Sequence, residues 1–186
     1  MASSRLGAYV DESVHITPGL YVLAAVLGRD GDRDSVREAL TGVRPGGAAP
    51  HWHDEAEAVR EKLVDTVCSL PVEVRVYGCR FETPRRVEAA RSRALHWLIA
   101  ELDADVSTLI LDRRQRSLEA KDRRLLTQVL GQPPRMAFGH LPAHDEPFLW
   151  VADIVAGAVS ASWVRGSDYV AGRLDRVLSA ADSEPG

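Results

Sequence analysis

The sequence predicts an α/β fold, a mixed sheet of about five strands flanked by helices. Two short apolar runs are separated by a turn at Pro18-Gly19, which is typical of an antiparallel hairpin. Three further strand-like segments follow, and they alternate with amphipathic segments of helical period. A hairpin followed by alternating strands and helices favours one sheet of antiparallel and parallel strands, covered by helices.

Five segments have the apolar pattern of strands, either alternating or continuous and bounded by turn residues. They are residues 6–11, 19–28, 72–81, 106–111 and 135–140. Ser35 with Glu38 three residues later is a capping-box pattern, which predicts a short helix over residues 35–40. Four other segments have the apolar patterns of helices, and they are residues 52–69, 83–102, 117–130 and 147–164. The last of these is apolar around most of its circumference, which predicts a helix buried on most sides.

Length and composition favour one globular domain. The chain has 186 residues, of which 45% are hydrophobic and 27% charged, and this excludes a collagen-like or wholly disordered chain. We expect a single domain over residues 6–178, with flexible termini at 1–5 and 179–186. No apolar run approaches the roughly 20 residues that span a bilayer, so we expect no membrane partner. The amino terminus lacks a secretory pattern, and we expect a cytoplasmic protein.

Positive charge is concentrated in the middle of the chain. Residues 75–124 carry 12 basic and 8 acidic side chains, whereas the segments on either side are net negative. Arginine, which dominates this segment, binds phosphate or carboxylate in bidentate fashion. Arg113 and Arg114 follow Asp112 directly and could contact substrate phosphates. The alternative is a solvated helix face, on which Glu119 and Asp122 are their salt partners.

Three aspartates are candidates for a shared cation site. Asp153 lies within the most apolar helix, where an unpaired carboxylate costs several kcal/mol unless it is neutralised, paired or bound to a cation. Asp112 stands at the carboxyl end of a strand predicted to be central, where ligands of open α/β sheets bind. Asp11 sits in or at the end of the first strand, where strand propensity disfavours it. Each has an ordinary alternative. Asp153 could pair with an arginine or accept backbone hydrogen bonds at a sheet edge, and Asp11 and Asp112 could belong to turns.

Taken together, the three acids predict a site for Mg²⁺ or Mn²⁺, with Asp11, Asp112 and Asp153 as ligands. These ions prefer hard oxygen ligands and retain several waters. Two such ions about 3.5–4 Å apart can activate a water and stabilise the leaving oxygen of a phosphodiester. His51 and His53 are candidate substrate-binding residues or proton carriers near such a site, or else solvated loop histidines.

Short motifs around these acids resemble a widespread bacterial family of unknown function with an Asp-Glu-Ser signature. The resemblance covers roughly residues 6–164, and Val14 stands where that family frequently has glycine. The family is similar to ribonuclease H in fold. The motifs are Tyr9-Val10-Asp11-Glu12-Ser13 in the first strand, Leu111-Asp112 at the end of a later strand, and residues 149–158 (LWVADIVAGA) in the late helix.

The resemblance implies a ribonuclease-H-like sheet and a metal-dependent nuclease that acts on RNA or DNA, with Asp11, Asp112 and Asp153 as metal ligands. We assign Glu12 with them as catalytic. The glutamate that ribonuclease H takes from its first helix is not located, and the candidates are Glu12, Asp54, Glu55, Glu57 and Glu61. The alternative function is a non-catalytic ribonuclease-H-like module that binds a protein or nucleic-acid partner. A homodimer is left open.

Overall fold

Six strands form one mixed sheet in the computed structural model, which describes residues 5–44, 48–167, 169, 174 and 178–181. The strand order is β5-β4-β1-β2-β3-β6. The strands are β1 (Leu6–His15), β2 (Leu20–Arg29), β3 (Glu73–Arg80), β4 (Val106–Asp112), β5 (Ala137–Leu141) and β6 (Leu178–Ala181). β2 pairs antiparallel with β1 and β3, and the other described neighbours pair in parallel. The predicted α/β class is confirmed.

Five α-helices cover the two faces of the sheet, as the layer rules predict. They are α1 (Arg33–Val43), α2 (Glu57–Ser69), α3 (Val87–Glu101), α4 (Arg116–Leu130) and α5 (Pro147–Arg165). α5 packs directly on β1 and β2, with α1 and α2 beside it, and these elements share one hydrophobic core. α3 and α4 enclose a second core on the opposite face. The central strands are therefore buried on both sides.

The alternation of side chains along β1 decides which face each polar residue occupies. Tyr9 belongs to the core beneath α5, whereas Ala8 and Val10 belong to the core beneath α3 and α4. Successive residues of a strand point to opposite faces. Asp11 therefore faces α5, and Glu12 faces α3 and α4.

The predicted elements lie on observed ones, with differences at their ends. β1 continues four residues beyond the predicted limit of residue 11, because the hairpin pairing with β2 extends to His15. The helix predicted from Trp52 begins at Glu57, and residues 52–54 form a separate 3-10 turn. Residues 179–181 pair with β3 as part of β6, which corrects the expected unstructured tail for these residues. Of the predicted flexible termini, residues 1–4 and 182–186 lie outside the described residues.

α5 is the core helix of the molecule. Pro147 occupies its first turn, the Glu146 side chain accepts a hydrogen bond from Phe148 N, and Gly166 ends it with φ +69°. With 19 residues and a mean hydropathy of 1.5, α5 is long and apolar enough to cross a membrane. The expectation that no apolar segment approaches the length of a bilayer span is therefore wrong for α5. However, 83% of its most apolar 18-residue window is buried inside the fold, so packing against the sheet accounts for its composition.

Candidate active site

Three carboxylates line one pocket of about 200 Å³ at the carboxyl ends of the central parallel strands. Val10 pairs with Leu111 in the parallel register of β1 and β4, which places Asp11 and Asp112 side by side. α5 crosses the same face and supplies Asp153. The predicted convergence of the three aspartates is thus observed, and it depends on β1 and β4 being neighbours in the sheet.

Asp153 is held by the loop that precedes α2. Its Oδ2 lies 2.8 Å from His51 Nδ1 and accepts a hydrogen bond of 2.8 Å from the backbone N–H of Trp52. Because an ionised carboxylate only accepts hydrogen bonds, Nδ1 carries the proton of the His51 ring. Within the described residues no guanidinium contacts Asp153, and its Oδ1 has no hydrogen-bond partner. An arginine-paired carboxylate is therefore not observed. Asp153 does accept a backbone hydrogen bond, but from the loop at Trp52 rather than from a sheet edge.

The close packing of Trp52 on α5 keeps this loop in place. Trp52 is fully buried, and a Cβ atom at Gly157 would lie 2.2 Å from its indole ring. Glycine at this position therefore lets the ring lie against the helix. The ring also packs edge-on against Tyr169, with centroids 5.0 Å apart. Since the backbone N–H of the same residue donates to Asp153, packing at Gly157 and the orientation of the carboxylate are linked.

The electrostatics of the pocket favour bound positive charge. Burial raises the pKa of Asp11 well above its ordinary value, and the charges of Glu12, Asp153 and Asp112 raise it further. Burial also raises the pKa of Asp112, although nearby backbone amides oppose the shift. The hydrogen bond to Asp153 raises the pKa of His51, against the effect of burial. No arginine or lysine lines the pocket in the described part of the chain.

The chemistry of the donors fits a hard divalent cation. Among the described residues, no three His, Cys, Asp or Glu side chains form a preassembled ligand group. The three aspartates nevertheless offer carboxylate oxygens to one pocket, and these are the donors that Mg²⁺ and Mn²⁺ prefer. Mg²⁺ is usually bound through one or two carboxylates plus waters rather than in an all-protein cage. An open pocket with three carboxylates is consistent with such binding.

Comparison with solved structures places the fold. Ribonuclease HII from Archaeoglobus fulgidus, solved with PCNA, matches with a TM-score of 0.54 and 15% identity over 97% of this chain and 83% of that one. Ribonuclease H2 from Pyrococcus horikoshii OT3 matches with a TM-score of 0.55 and 13% identity, over 87% of this chain and 78% of that one. Bst-RNase HIII in complex with Mn²⁺ matches with a TM-score of 0.51 and 16% identity, over 88% of this chain and 56% of that one. The fold is ribonuclease-H-like. No protein-family model and no curated protein matches the chain.

Glu12 does not reach the pocket of this ribonuclease-H-like sheet. It lies on the opposite face, where its Oε2 accepts a 2.6 Å hydrogen bond from Arg91 Nη1 and its Oε1 lies 3.4 Å from Arg114 Nε. The assignment of Glu12 as catalytic is therefore not supported by its position, although its charge still acts on Asp11. None of the other four candidates for the missing glutamate lines the pocket either.

Three of the four predicted substrate-binding residues, Arg113, Arg114 and His53, do not line the pocket. The Arg114 guanidinium binds Glu88 Oε1 at 2.6 Å and has 12% of its side chain exposed, so it is engaged with a carboxylate. His53 does not line the pocket, and its ring centroid lies 6.0 Å from that of His51. Arg113 is 61% exposed and lies 3.9 Å from Glu119. Of His51 and His53, His51 lines the pocket, and so does His144, which lies just before α5.

Sequence reasoning missed a buried ion network behind β1. Arg91, which is 1% exposed, donates two hydrogen bonds of 2.9 Å to Asp122 and one of 2.9 Å to the Tyr21 hydroxyl. His140 Nε2 lies 3.1 Å from Asp122 Oδ2. Glu119 and Asp122 are buried rather than solvated. They are nevertheless salt partners of the arginines, as the alternative predicted, because Glu119 lies 3.9 Å from Arg113 and Asp122 lies 3.5 Å from Arg114. The available signal was Asp122 itself, four residues after Leu118 on the inward stripe of α4.

The network predicts a specific pH dependence of stability. Burial alone would raise the pKa of Asp122, but hydrogen bonds from His140 and Arg91, with the nearby guanidinium charges, hold it well below its ordinary value. A carboxyl with a lowered folded pKa stabilises the fold fully above its unfolded pKa, about 4, and loses that contribution as the pH falls further. We therefore expect the free energy of unfolding to drop steeply below about pH 4.

Urea denaturation of wild type and Asp122→Asn at a series of pH values checks this expectation. The difference in unfolding free energy between the two proteins should be constant from pH 7 to 5 and should shrink below about pH 4. A difference that stays constant down to the lowest pH at which both fold would show that Asp122 is not the titrating group.

Proposed function

We propose that the protein is a divalent-metal-dependent nuclease that hydrolyses phosphodiester bonds in RNA or DNA. The observation that carries the proposal is the convergence of Asp11, Asp112 and Asp153 on one pocket that no arginine or lysine of the described chain lines. The likeness in fold to ribonucleases HII and HIII supports it, as does the Mn²⁺ in the complex of one of those proteins.

The three aspartates would hold Mg²⁺ or Mn²⁺ in this proposal. Such ions supply an activated water and stabilise the leaving oxygen of a phosphodiester. Asp11 and Asp112 provide neighbouring carboxylates from the sheet, and Asp153 provides one from α5. His51 orients Asp153 through its Nδ1 proton. With a raised pKa and 58% of its side chain exposed, its ring is also placed to carry a proton between pocket and solvent.

The test is metal-dependent cleavage by Asp153→Asn. Asparagine keeps the size of the side chain and can still accept the Trp52 hydrogen bond, but it loses the negative charge that holds a cation. We expect manganese-dependent cleavage of RNA or DNA to fall by at least about 100-fold, since a bound ion contributes several kcal/mol to the transition state. Asp34→Asn, an exposed aspartate on α1, serves as the matched control and should cleave as wild type does. An Asp153→Asn enzyme with wild-type activity would refute the assignment.

A non-catalytic module remains the second candidate, because His51 and Trp52 already bind Asp153 and no preassembled ligand group is found among the described residues. Isothermal titration calorimetry with Mg²⁺ and with Mn²⁺ separates the two candidates. Saturable binding that Asp153→Asn abolishes supports the nuclease. No binding at millimolar metal supports the module.

A further inference from the structure

Four exposed arginines gather near the carboxyl end of β3 and the start of α3. They are Arg80, Arg85, Arg86 and Arg93, and none has an ion pair or hydrogen bond from its guanidinium in the described part of the chain. Other arginines of the same basic segment, such as Arg75, Arg91 and Arg114, are bound to carboxylates. Part of the surplus positive charge of residues 75–124 therefore reaches solvent in this region.

Three of these arginines line a cleft. Arg80, Arg86 and Arg93 surround a volume of about 260 Å³, whose floor includes Phe81 and Ala90. Glu82 also lines the cleft and is the one acidic side chain among its lining residues, so the cleft carries a net positive charge. Guanidinium groups with free donors around an open cleft are suited to bind phosphate oxygens in bidentate fashion.

The cleft and the carboxylate pocket lie at the same end of the sheet, because β3 runs parallel to β1 and β4. Through β2, Asp11 is level with Val76, since both pair with Ala24. Arg80 lies four residues further along β3, roughly 13 Å, and two strands across, roughly 10 Å. These two backbone positions are therefore roughly 16 Å apart within the sheet. The side chains open on different faces, because Phe81 and Ala90 of the cleft belong to the core beneath α3 and α4, whereas the carboxylate pocket lies on the α5 face. A nucleic acid that contacts both sites would pass over this end of the sheet.

We propose that the cleft of Arg80, Arg86 and Arg93 binds the phosphate backbone of the nucleic acid whose cleavage we assign to the carboxylate pocket. The inference rests on the proposed function and adds a second contact to it. The carboxylate pocket itself is negative and cannot attract a polyanion without cations. A separate group of arginines at the same end of the sheet, without ion pairs among the described residues, supplies the attraction without reading sequence.

Fluorescence anisotropy in EDTA tests the cleft without cleavage. The probes are a labelled 20-base-pair RNA–DNA hybrid and a DNA duplex of the same sequence, titrated with the whole protein at several salt concentrations. We expect Arg86→Gln/Arg93→Gln to bind both probes about tenfold more weakly, because charge-assisted hydrogen bonds to phosphate are lost. The slope of log K against log salt should become less negative by about 1–2.

The matched control is Arg5→Gln/Lys62→Gln, which removes the same charge from two exposed positions outside the cleft and the pocket. Its affinity and salt slope should equal those of wild type. Three results would overturn the proposed role of the cleft in binding. The cleft variant could bind both probes as wild type does, the two variants could lose the same affinity, or wild type could bind neither probe. Arginine-dependent binding by a protein that shows no metal-dependent cleavage would support the cleft and refute the nuclease. Metal-dependent cleavage by a protein whose probe binding does not change on replacing the arginines would support the nuclease and refute the cleft.

Discussion

Replacing Arg91 with methionine should lower the free energy of unfolding by about 3–5 kcal/mol at pH 7. The guanidinium is 1% exposed and binds Glu12, Asp122 and the hydroxyl of Tyr21. Its removal leaves two carboxylates with much of their compensating charge gone, at a site from which water is largely excluded. Removing one partner of a buried ion network costs far more than replacing all of its members by apolar groups. Urea denaturation followed by circular dichroism measures the change.

Two further variants identify the cause of that loss. Arg93→Met changes an exposed arginine on the same helix and should alter stability by no more than about 0.5 kcal/mol. Arg91→Met/Glu12→Gln/Asp122→Leu removes the opposing charges as well and should recover much of the stability. If Arg91→Met costs less than about 1 kcal/mol, Arg114 compensates for the charge, and Arg91 is not the centre of the network.

Asp11→Asn should raise the free energy of unfolding in the absence of metal and should abolish metal-dependent cleavage. Asp11 is a half-buried carboxylate beside two others, and desolvation raises its pKa well above the ordinary value. A carboxyl whose pKa is raised in the folded state destabilises the fold at neutral pH, because its charged form is unfavourable there. A neutral side chain removes that free-energy cost. We expect a gain on the order of 1–2 kcal/mol in EDTA. Asparagine Oδ1 can still accept the backbone N–H of Glu12.

Thermal unfolding with and without Mn²⁺ measures both effects. Metal that binds only the folded state raises the melting temperature of wild type by mass action, and the variant should not respond. Asp34→Asn should behave as wild type in both conditions. A variant that is less stable than wild type in EDTA, or equally stabilised by Mn²⁺, would contradict the proposed role of Asp11.

Local patterns were sufficient for the elements and for most of the site. Apolar patterns identified five of the strands and four of the α-helices, because each buries a face that recurs at the period of its own backbone. A capping-box pattern identified α1. Asp153 stood out since a charge inside an apolar helix requires an explanation. Asp112 stood out because it ends a buried strand. β6 was missed, and its four residues pair with β3 at an edge that local sequence does not reveal.

The roles of Glu12 and Arg114 could not be read in the same way. Glu12 follows Asp11 directly, and this adjacency favoured a shared role, but neighbouring residues of a strand point to opposite faces of a sheet. The partner of Glu12 is Arg91, 79 residues away on α3. Arg114 follows Asp112 by two residues, and yet its guanidinium turns to Glu88 and Glu12.

The sequence by itself determined the order of strands and helices and the presence of three carboxylates suited to a cation. Only the tertiary structure decided which polar side chains share a space. It assigned Asp11 to the pocket and Glu12 to the ion network, and among the described residues it gave the arginines near the end of β3 no ion pair. The physical reason is that burial and pairing depend on which strands and helices become neighbours, whereas periodicity records only which face of each element is apolar.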